Sequence, residues 1–179
     1  MKKSLLSAAL LVLLAVVTFS CEKINDLLTF EISDTQNFTI PATPLVGGLP
    51  VTLTLPVPVT NKASETFSKN NTSADLVKDV SLSKLTLTIT DPTTENFDFL
   101  QSIKISIGTD QNDKVVMAQL TEVPRGATSI ELQSTNAKLD KYIKAPNYTL
   151  YTEATVRQAT TREITVKEES RFKVTADPL

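Results

Sequence analysis

The chain has 179 residues, of which 41% are hydrophobic and 21% are charged, and its formal net charge is −2. It contains no histidine and a single cysteine, which excludes a Ser-His-Asp or Cys-His catalytic centre, a Cys/His zinc site and a disulfide within the chain. Its four glycines are too few for a glycine-rich phosphate loop. An isoelectric point near 5.2 argues against a general nucleic-acid binder. The length suits one domain.

The first 21 residues have the organisation of a secretion signal that ends in a cysteine. Lys2 and Lys3 form a positive start. The apolar or small residues 5–17 that follow suit a signal-peptide core and are fewer than the ~20 that a membrane span needs. Cys21 stands where a lipoprotein signal peptidase cuts and where the thiol receives a diacylglycerol. We predict a lipoprotein signal peptide over 1–20, cleavage between Ser20 and Cys21, and a lipid on Cys21. The alternative is an ordinary secretory signal with a chance cysteine.

The residues around the cysteine support this interpretation. The tripeptide Thr-Phe-Ser over 18–20 precedes Cys21, and Glu-Lys over 22–23 follows it. This arrangement resembles the lipoproteins of Bacteroidota-type bacteria. The resemblance implies that residues 21–27 are a lipidated tether whose acyl chains contact the membrane. It also implies a place in the cell envelope, anchored in the outer membrane on the periplasmic face or at the cell surface.

From residue 28 onward, the dominant pattern is the period-two alternation of β-strands. In the cleanest example, Leu85, Leu87 and Ile89 alternate with threonine. Similar patterns predict strands at 28–32, 51–60, 103–107, 115–120, 130–132, 150–156 and 164–174. Because Pro56 and Pro58 cannot donate ladder hydrogen bonds, the strand over 51–60 is expected at a sheet edge, or to end at Leu55.

Three short segments between the strands have helical spacing. Residues 72–80 begin with a capping-box pair, Thr72 and Asp75, and residues 93–100 and 139–143 have apolar residues three or four apart. None is long enough to be the crossover helix of a parallel sheet. We therefore predict that residues 28–179 form a single all-β, antiparallel, immunoglobulin-like β-sandwich of seven or eight strands with two or three short helical turns. A closed barrel is the alternative. The whole arrangement resembles the small sandwich lipoproteins of Bacteroidota.

Two stretches are candidate binding sites. Pro44–Val59 carries no charge over 16 residues; it is either an edge that accepts a partner's strand or a hydrophobic docking patch, or else an ordinary core strand with a proline-rich exit, which we favour. The loop around Asp110–Asp113 has the alternate oxygen side chains of a calcium loop. It lacks a distal glutamate and has too few oxygens, so we favour a polar hairpin turn.

Isolated polar and aromatic residues also raise alternatives. Glu168 shares the parity of the apolar residues in the last strand, so it would face inward. A bulge that resets the register, a solvated face and a functional carboxylate are the three explanations, and we favour the first two. Tyr142, Tyr148 and Tyr151 could hold a sugar or a peptide, although tyrosines that pack at sandwich corners are more common.

We predict no catalytic residues, no metal site and no cofactor. The leading hypothesis is a non-catalytic, lipid-anchored binding or accessory subunit that engages an envelope protein or a glycan, with no nucleic-acid partner. The alternative is a structural or adhesive, fimbria-like subunit assembled by strand exchange. A hydrolase that uses two carboxylates is a third hypothesis, for which no motif predicts the pair.

Overall fold

The computed structural model describes residues 29–177, which form nine β-strands, two short α-helices and two single 3₁₀ turns. The strands are β1 (Thr29–Ile40), β2 (Val51–Thr60), β3 (Val77–Asp91), β4 (Leu100–Gly108), β5 (Val115–Leu120), β6 (Ser129–Glu131), β7 (Gln133–Ser134), β8 (Asn147–Val156) and β9 (Ile164–Ala176). The helices are α1 (Ala63–Lys69) and α2 (Asp140–Lys144), and the 3₁₀ turns are Ala74–Leu76 and Phe97–Phe99.

The strands form two antiparallel sheets with the orders β1-β9-β3-β6 and β2-β8-β4-β5-β7. Early strands pair with late ones in mirror order: β1 with β9, β2 with β8, β3 with β6 and β4 with β5. Rolling up one long antiparallel ribbon produces this order, because it places β9 beside β3 and β8 beside β4. The fold is therefore a jelly roll, a double-sheet sandwich.

The predicted all-β antiparallel sandwich is confirmed, and its connectivity is refined. In the immunoglobulin order the first two strands are neighbours in one sheet, whereas here β1 and β2 belong to different sheets. The strand predicted over 130–132 is split at the buried Leu132, where the chain passes from one sheet to the other. The described residues accordingly form nine strands instead of seven or eight.

Alternating apolar side chains from both sheets build the core. In β9 every second residue from Ile164 to Ala176 is buried, and Leu85 and Leu87 of β3 are fully buried. Burial of such side chains stabilises a sandwich by roughly 1.5–3 kcal/mol each. Strand β2 lies at an edge, as its prolines predict, and continues to Thr60 instead of ending at Leu55.

The short helical segments lie at the three predicted places, one of them only in part. Helix α2 and the turn Phe97–Phe99 lie where apolar spacing predicts them. In the segment over 72–80 only the turn Ala74–Leu76 is helical; its N-cap is Ser73 and not Thr72, and Val77 and Val80 belong to β3. Helix α1 lies just before this region and was not predicted.

The strands run between two ends of the sandwich. The terminal pole holds the start of β1, the end of β9, both helices and the loop 109–114, because Thr29 pairs with Thr175 and Tyr142 bonds to the carbonyl of Asp113. The loop pole holds the connections 41–50, 92–99, 121–128 and 157–163. Backbone bonds tie these four connections together in pairs, 41–50 to 157–163 and 92–99 to 121–128.

Candidate functional site

The predicted anchor precedes the described part of the chain. Ser20, Cys21, the signal peptide over 1–20 and the tether over 21–27 all lie outside the described residues, so their assignment stays a prediction. The described chain begins at Thr29 on the terminal pole. Within residues 29–177, no helix combines the length and the apolar character needed to cross a membrane.

The connection 41–50 presents two exposed apolar side chains at the loop pole. Val46 is 78% exposed and Leu49 is 69% exposed, and they are the large hydrophobic residues most open to solvent in the described chain. Between them, Gly47 and Gly48 have φ values of 63° and 74°, in the left-handed region that favours glycine. The amide of Leu49 donates to the carbonyl of Val46 at 3.2 Å. The turn therefore directs both side chains into solvent. We call Val46–Leu49 the apolar tip.

The base of this connection is held firmly. The backbones of Thr43 and Thr160 exchange two hydrogen bonds of 3.2 and 3.1 Å, and the hydroxyl of buried Thr43 donates to the carbonyl of Pro41 at 2.8 Å. The hydroxyl of Thr160 also accepts from the Thr43 amide at 2.9 Å. The apolar tip therefore projects from a base that is fixed to the neighbouring loop.

The candidate stretch Pro44–Val59 is divided between two structures. Its first part is the connection that carries the apolar tip, and its second part is β2. The favoured interpretation as a core strand holds for the inner face of β2, where Val59 belongs to the core and the half-buried side chains before it pack against the core. Strand β2 is nevertheless an edge strand. Pro56 and Pro58 point to solvent. Acceptance of a partner's strand at this edge stays a prediction.

A polar cavity of about 130 Å³ lies at the same pole, between 92–99 and 157–163. Arg162 and Glu95 line it and form an ion pair of 3.5 Å. The carboxylate of Asp98 accepts the amide of Gly126 at 2.7 Å, and the carbonyl of Asp98 accepts from Arg157 Nε at 3.0 Å. The loop pole therefore combines the exposed apolar tip with a polar cavity lined by both signs of charge.

The loop at Asp110–Asp113 is a polar turn between β4 and β5, as favoured from the sequence. Asp110 Oδ1 accepts the amides of Asn112 and Asp113, and Asp113 accepts the amides of Thr109 and Asp110. Lys141 Nζ lies 2.8 Å from Asp113, and this contact together with the Thr109 hydroxyl holds the Asp113 pKa well below its usual range. The carboxylates are thus engaged by the loop itself. No group of three or more potential metal ligands occurs among residues 29–177.

Tyr142 and Tyr148 pack in the core, as the corner-packing interpretation predicts, whereas Tyr151 lies on the opposite face of β8, outside the core. All three are buried. Tyr142 donates its hydroxyl to the carbonyl of Asp113, and Tyr148 donates to Asp34 Oδ2 at 2.6 Å. Lys114 Nζ lies 4.4 Å from the ring centre of Tyr151. Burial, followed by the bond to Asp34, holds the Tyr148 pKa far above its usual range.

The buried carboxyl of Glu168 contradicts both favoured explanations. Its side chain is 1% exposed, so the face is not solvated. The pairing of β1 with β9 is continuous through this position, and the shifts between β3 and β9 lie elsewhere, so no bulge resets the register here. Ser170 Oγ donates to Glu168 Oε1 at 3.1 Å, and Oε2 has no hydrogen-bond partner among the described residues. Burial, with a smaller contribution from Asp34, raises the pKa of Glu168 to about 7.

Glu168 belongs to a group of polar side chains between the sheets that sequence reasoning did not assemble. We call it the inner polar cluster; its members are Asp34, Gln36, Tyr148, Glu168 and Ser170. Gln36 Nε2 donates to Asp34 Oδ1 at 3.1 Å, and Asp34 and Tyr148 line a cavity of about 90 Å³. The cluster thus brings two carboxylates together. One is engaged by Tyr148 and Gln36, and the other is sealed from solvent.

Comparisons with known proteins add a set of weakly similar structures. No family model matches the chain, and no curated protein matches it. Among solved structures, the decameric BFDV capsid protein aligns with 83% of this chain and 98% of its own, at 10% identity and a TM-score of 0.43. Desmodium yellow mottle tymovirus aligns with 84% of this chain and 90% of its own, at 11% identity and a TM-score of 0.26. The T=1 particle protein derived from infectious bursal virus aligns with 84% of this chain and 40% of its own, at 15% identity and a TM-score of 0.23.

Proposed function

We propose that the protein is a lipid-anchored, non-catalytic binding subunit of the bacterial cell envelope, which engages its partner through the loop pole. The observation that carries this proposal is the polarity of the domain. The described chain enters at the terminal pole, and the exposed Val46 and Leu49 lie at the opposite one.

The distance between the poles separates the anchor from the binding surface. Strand β1 has twelve residues and spans roughly 40 Å at about 3.3 Å per residue. A lipid on Cys21 would hold the terminal pole near the bilayer, so the apolar tip of an upright domain faces away from that membrane. The tip is then free to meet a partner in the periplasm or outside the cell.

The chemistry of the tip favours a protein partner with an apolar pocket. Val46 and Leu49 are exposed apolar side chains, so an apolar pocket that covers them gains the free energy of burying their surface. The uncharged stretch 44–59 supplies no lysine or arginine for lipid headgroups. A glycan would instead use the polar cavity at Glu95 and Arg162, so the two classes of partner depend on different residues.

Crosslinking in intact cells of the native bacterium, followed by pulldown of the mature protein, tests the proposal. We expect one stoichiometric envelope partner, lost with Val46→Ser/Leu49→Ser and kept with Thr54→Ser, a control on the exposed face of β2. Loss of the crosslinked partner with Glu95→Gln, and not with the variant of the apolar tip, would instead assign binding to the polar cavity. Self-crosslinked ladders without another protein would overturn the binding proposal in favour of a structural subunit.

The anchor has its own test, which separates its failure from a failure at the loop pole. Wild type and Cys21→Ala are fractionated, and the mature N-terminal peptide is weighed by mass spectrometry. We expect the wild type in the membrane fraction with an acylated Cys21, and the variant in the soluble fraction. Identical fractionation of the two proteins would overturn lipid anchoring.

A further inference from the structure

We propose that strand β1 is a pH-sensitive strap, whose middle lies closed on β9 while Glu168 is a neutral acid and separates from β9 when Glu168 is ionised. This inference goes beyond the proposed function and is independent of it. It rests on the position of β1 at a sheet edge and on what β1 covers.

Strand β1 is held on one side only. Its twelve residues pair with β9, and no strand of the described chain pairs with its other edge. Its inward side chains are apolar at both ends, with Ile32 near the start and Phe38 and Ile40 near the finish. In the middle they are Asp34 and Gln36. The centre of β1 is therefore the part of the strand with the least apolar burial to hold it in place.

The centre of β1 covers the buried carboxyl. Gln36 pairs with Glu168 in the register, and Asp34 pairs with Ser170. The Glu168 side chain is sealed from solvent, with one oxygen bound by Ser170 and the other without a partner among residues 29–177. A buried carboxyl in this state is tolerated as a neutral acid and is costly as an anion.

The charged and titratable groups around Glu168 do not offset a negative charge. From β1 it faces Asp34, and from β8 it faces Tyr148, whose hydroxyl is committed to Asp34. Strand β3 presents the apolar Leu85 and Leu87 on its inner face, and the inward side chains of β2 are also apolar. Lys62 and Glu65 line the small cavity beside Asp34, and neither forms an ion pair with Glu168.

Ionisation near neutral pH therefore places two carboxylates together between the sheets. The raised pKa of Glu168, about 7, places this change close to neutral pH. The least costly relief is movement of the centre of β1 away from β9, because this edge has no outer strand to displace. Water then reaches Glu168 while the apolar ends of β1 stay in place.

Amide hydrogen exchange on the full mature protein tests the strap. Protection factors, corrected for intrinsic exchange, are compared at pH 5.5 and pH 8 for peptides that cover β1 and β2. We expect protection over 33–37 to fall at least about tenfold at pH 8 in the wild type, while β2 changes little. Glu168→Gln should abolish this fall in protection. The matched variant Glu169→Gln, which changes the exposed neighbouring residue, should leave the fall unchanged.

A second variant keeps the test decisive if Glu168→Gln does not fold. Ser170 Oγ is the donor to Glu168 that lowers its pKa, so Ser170→Ala should move the midpoint of the β1 transition to higher pH. The proposal is overturned if β1 and β2 lose protection together, if the wild type shows no change, or if Ser170→Ala leaves the midpoint where it was.

Discussion

Strands β1 and β2 are edge strands of opposite sheets that contact each other, and they protect their edges in different ways. Strand β2 carries Pro56 and Pro58 at exposed positions, where the missing amide hydrogens deny a neighbouring chain its donors. Strand β1 has no proline and instead directs the polar Asp34 inward, another way of discouraging pairing with a second strand.

The edge at β2 is thus protected by covalent structure, whereas the edge at β1 is protected by electrostatics. The protection of β2 is independent of the solvent, because a proline has no amide hydrogen at any pH. The hold on β1 depends on the protonation of Glu168 below it. Mutations that act on one edge and spare the other can therefore separate the two mechanisms.

The largest expected effect is a pH-dependent loss of stability that originates at Glu168. Its pKa rises from 4.5 in the unfolded chain to about 7 in the folded protein. Between pH 4.5 and pH 7 the folded protein holds a proton on Glu168 that the unfolded chain has released. The stability linked to this proton is therefore fully present below pH 4.5 and is lost as the pH rises to about 7. The shift corresponds to roughly 3 kcal/mol.

Urea unfolding of wild type and Glu168→Gln at pH 4.5 and pH 8 measures this contribution. The free energy of unfolding of the wild type should decline relative to the variant by roughly 3 kcal/mol across this range. Glu169→Gln, on the exposed face of the same strand, is the control and should follow the wild type. A parallel course for wild type and Glu168→Gln would contradict the assignment to Glu168.

An intermediate effect is expected from Tyr148→Phe. The variant removes the 2.6 Å hydroxyl donor of Asp34, which should lower the free energy of unfolding by about 1–2 kcal/mol because the partly buried carboxylate loses its partner. The control on the other edge is Thr52→Val, which removes the exposed 3.2 Å contact between the hydroxyls of Thr52 and Thr155. It should cost less than about 0.5 kcal/mol. Chemical denaturation measures both, and equal losses would contradict the comparison.

The smallest effect on stability, with a visible effect on association, is expected from Pro56→Val/Pro58→Val. Both side chains are exposed, so valine fits without repacking and the free energy of unfolding should change by less than about 0.5 kcal/mol. The restored amides can donate to another chain, so sedimentation velocity should detect self-association. Thr54→Val, which adds apolar surface on the same face but no new amide, should sediment like the wild type. Association of both variants would assign the effect to hydrophobicity instead.

Much of the fold is predictable because alternation is a local property. The spacing of Leu85, Leu87 and Ile89 places them correctly in the core, and the two prolines correctly place β2 at an edge. Helix α1 was missed although local signals exist: the Asn61 side chain accepts the amide of Ala63 at 2.9 Å, and Phe67 lies one turn further along the same buried face. The jelly-roll order depends on pairings between distant strands and has no local signal.

The inner polar cluster could be predicted only in part. The parity of β9 correctly turns Glu168 inward, but the high cost of a buried carboxylate favoured explanations that would expose it. Asp34 and Tyr148, which complete the cluster, come from strands more than 100 residues apart in sequence. Their meeting follows from the rolled-up ribbon, which no local pattern contains.

The run of β1 from one pole to the other has a mechanical consequence. A load applied between the start of β1 at Thr29 and the loop that follows Ile40 is carried along the backbone of β1, which is already extended. The twelve residue pairs that β1 forms with β9 are then neither slid nor peeled apart, because both points of attachment lie on the same strand. An adhesive or tethering contact at the apolar tip would therefore put tension on a single extended strand and spare the rest of the sandwich.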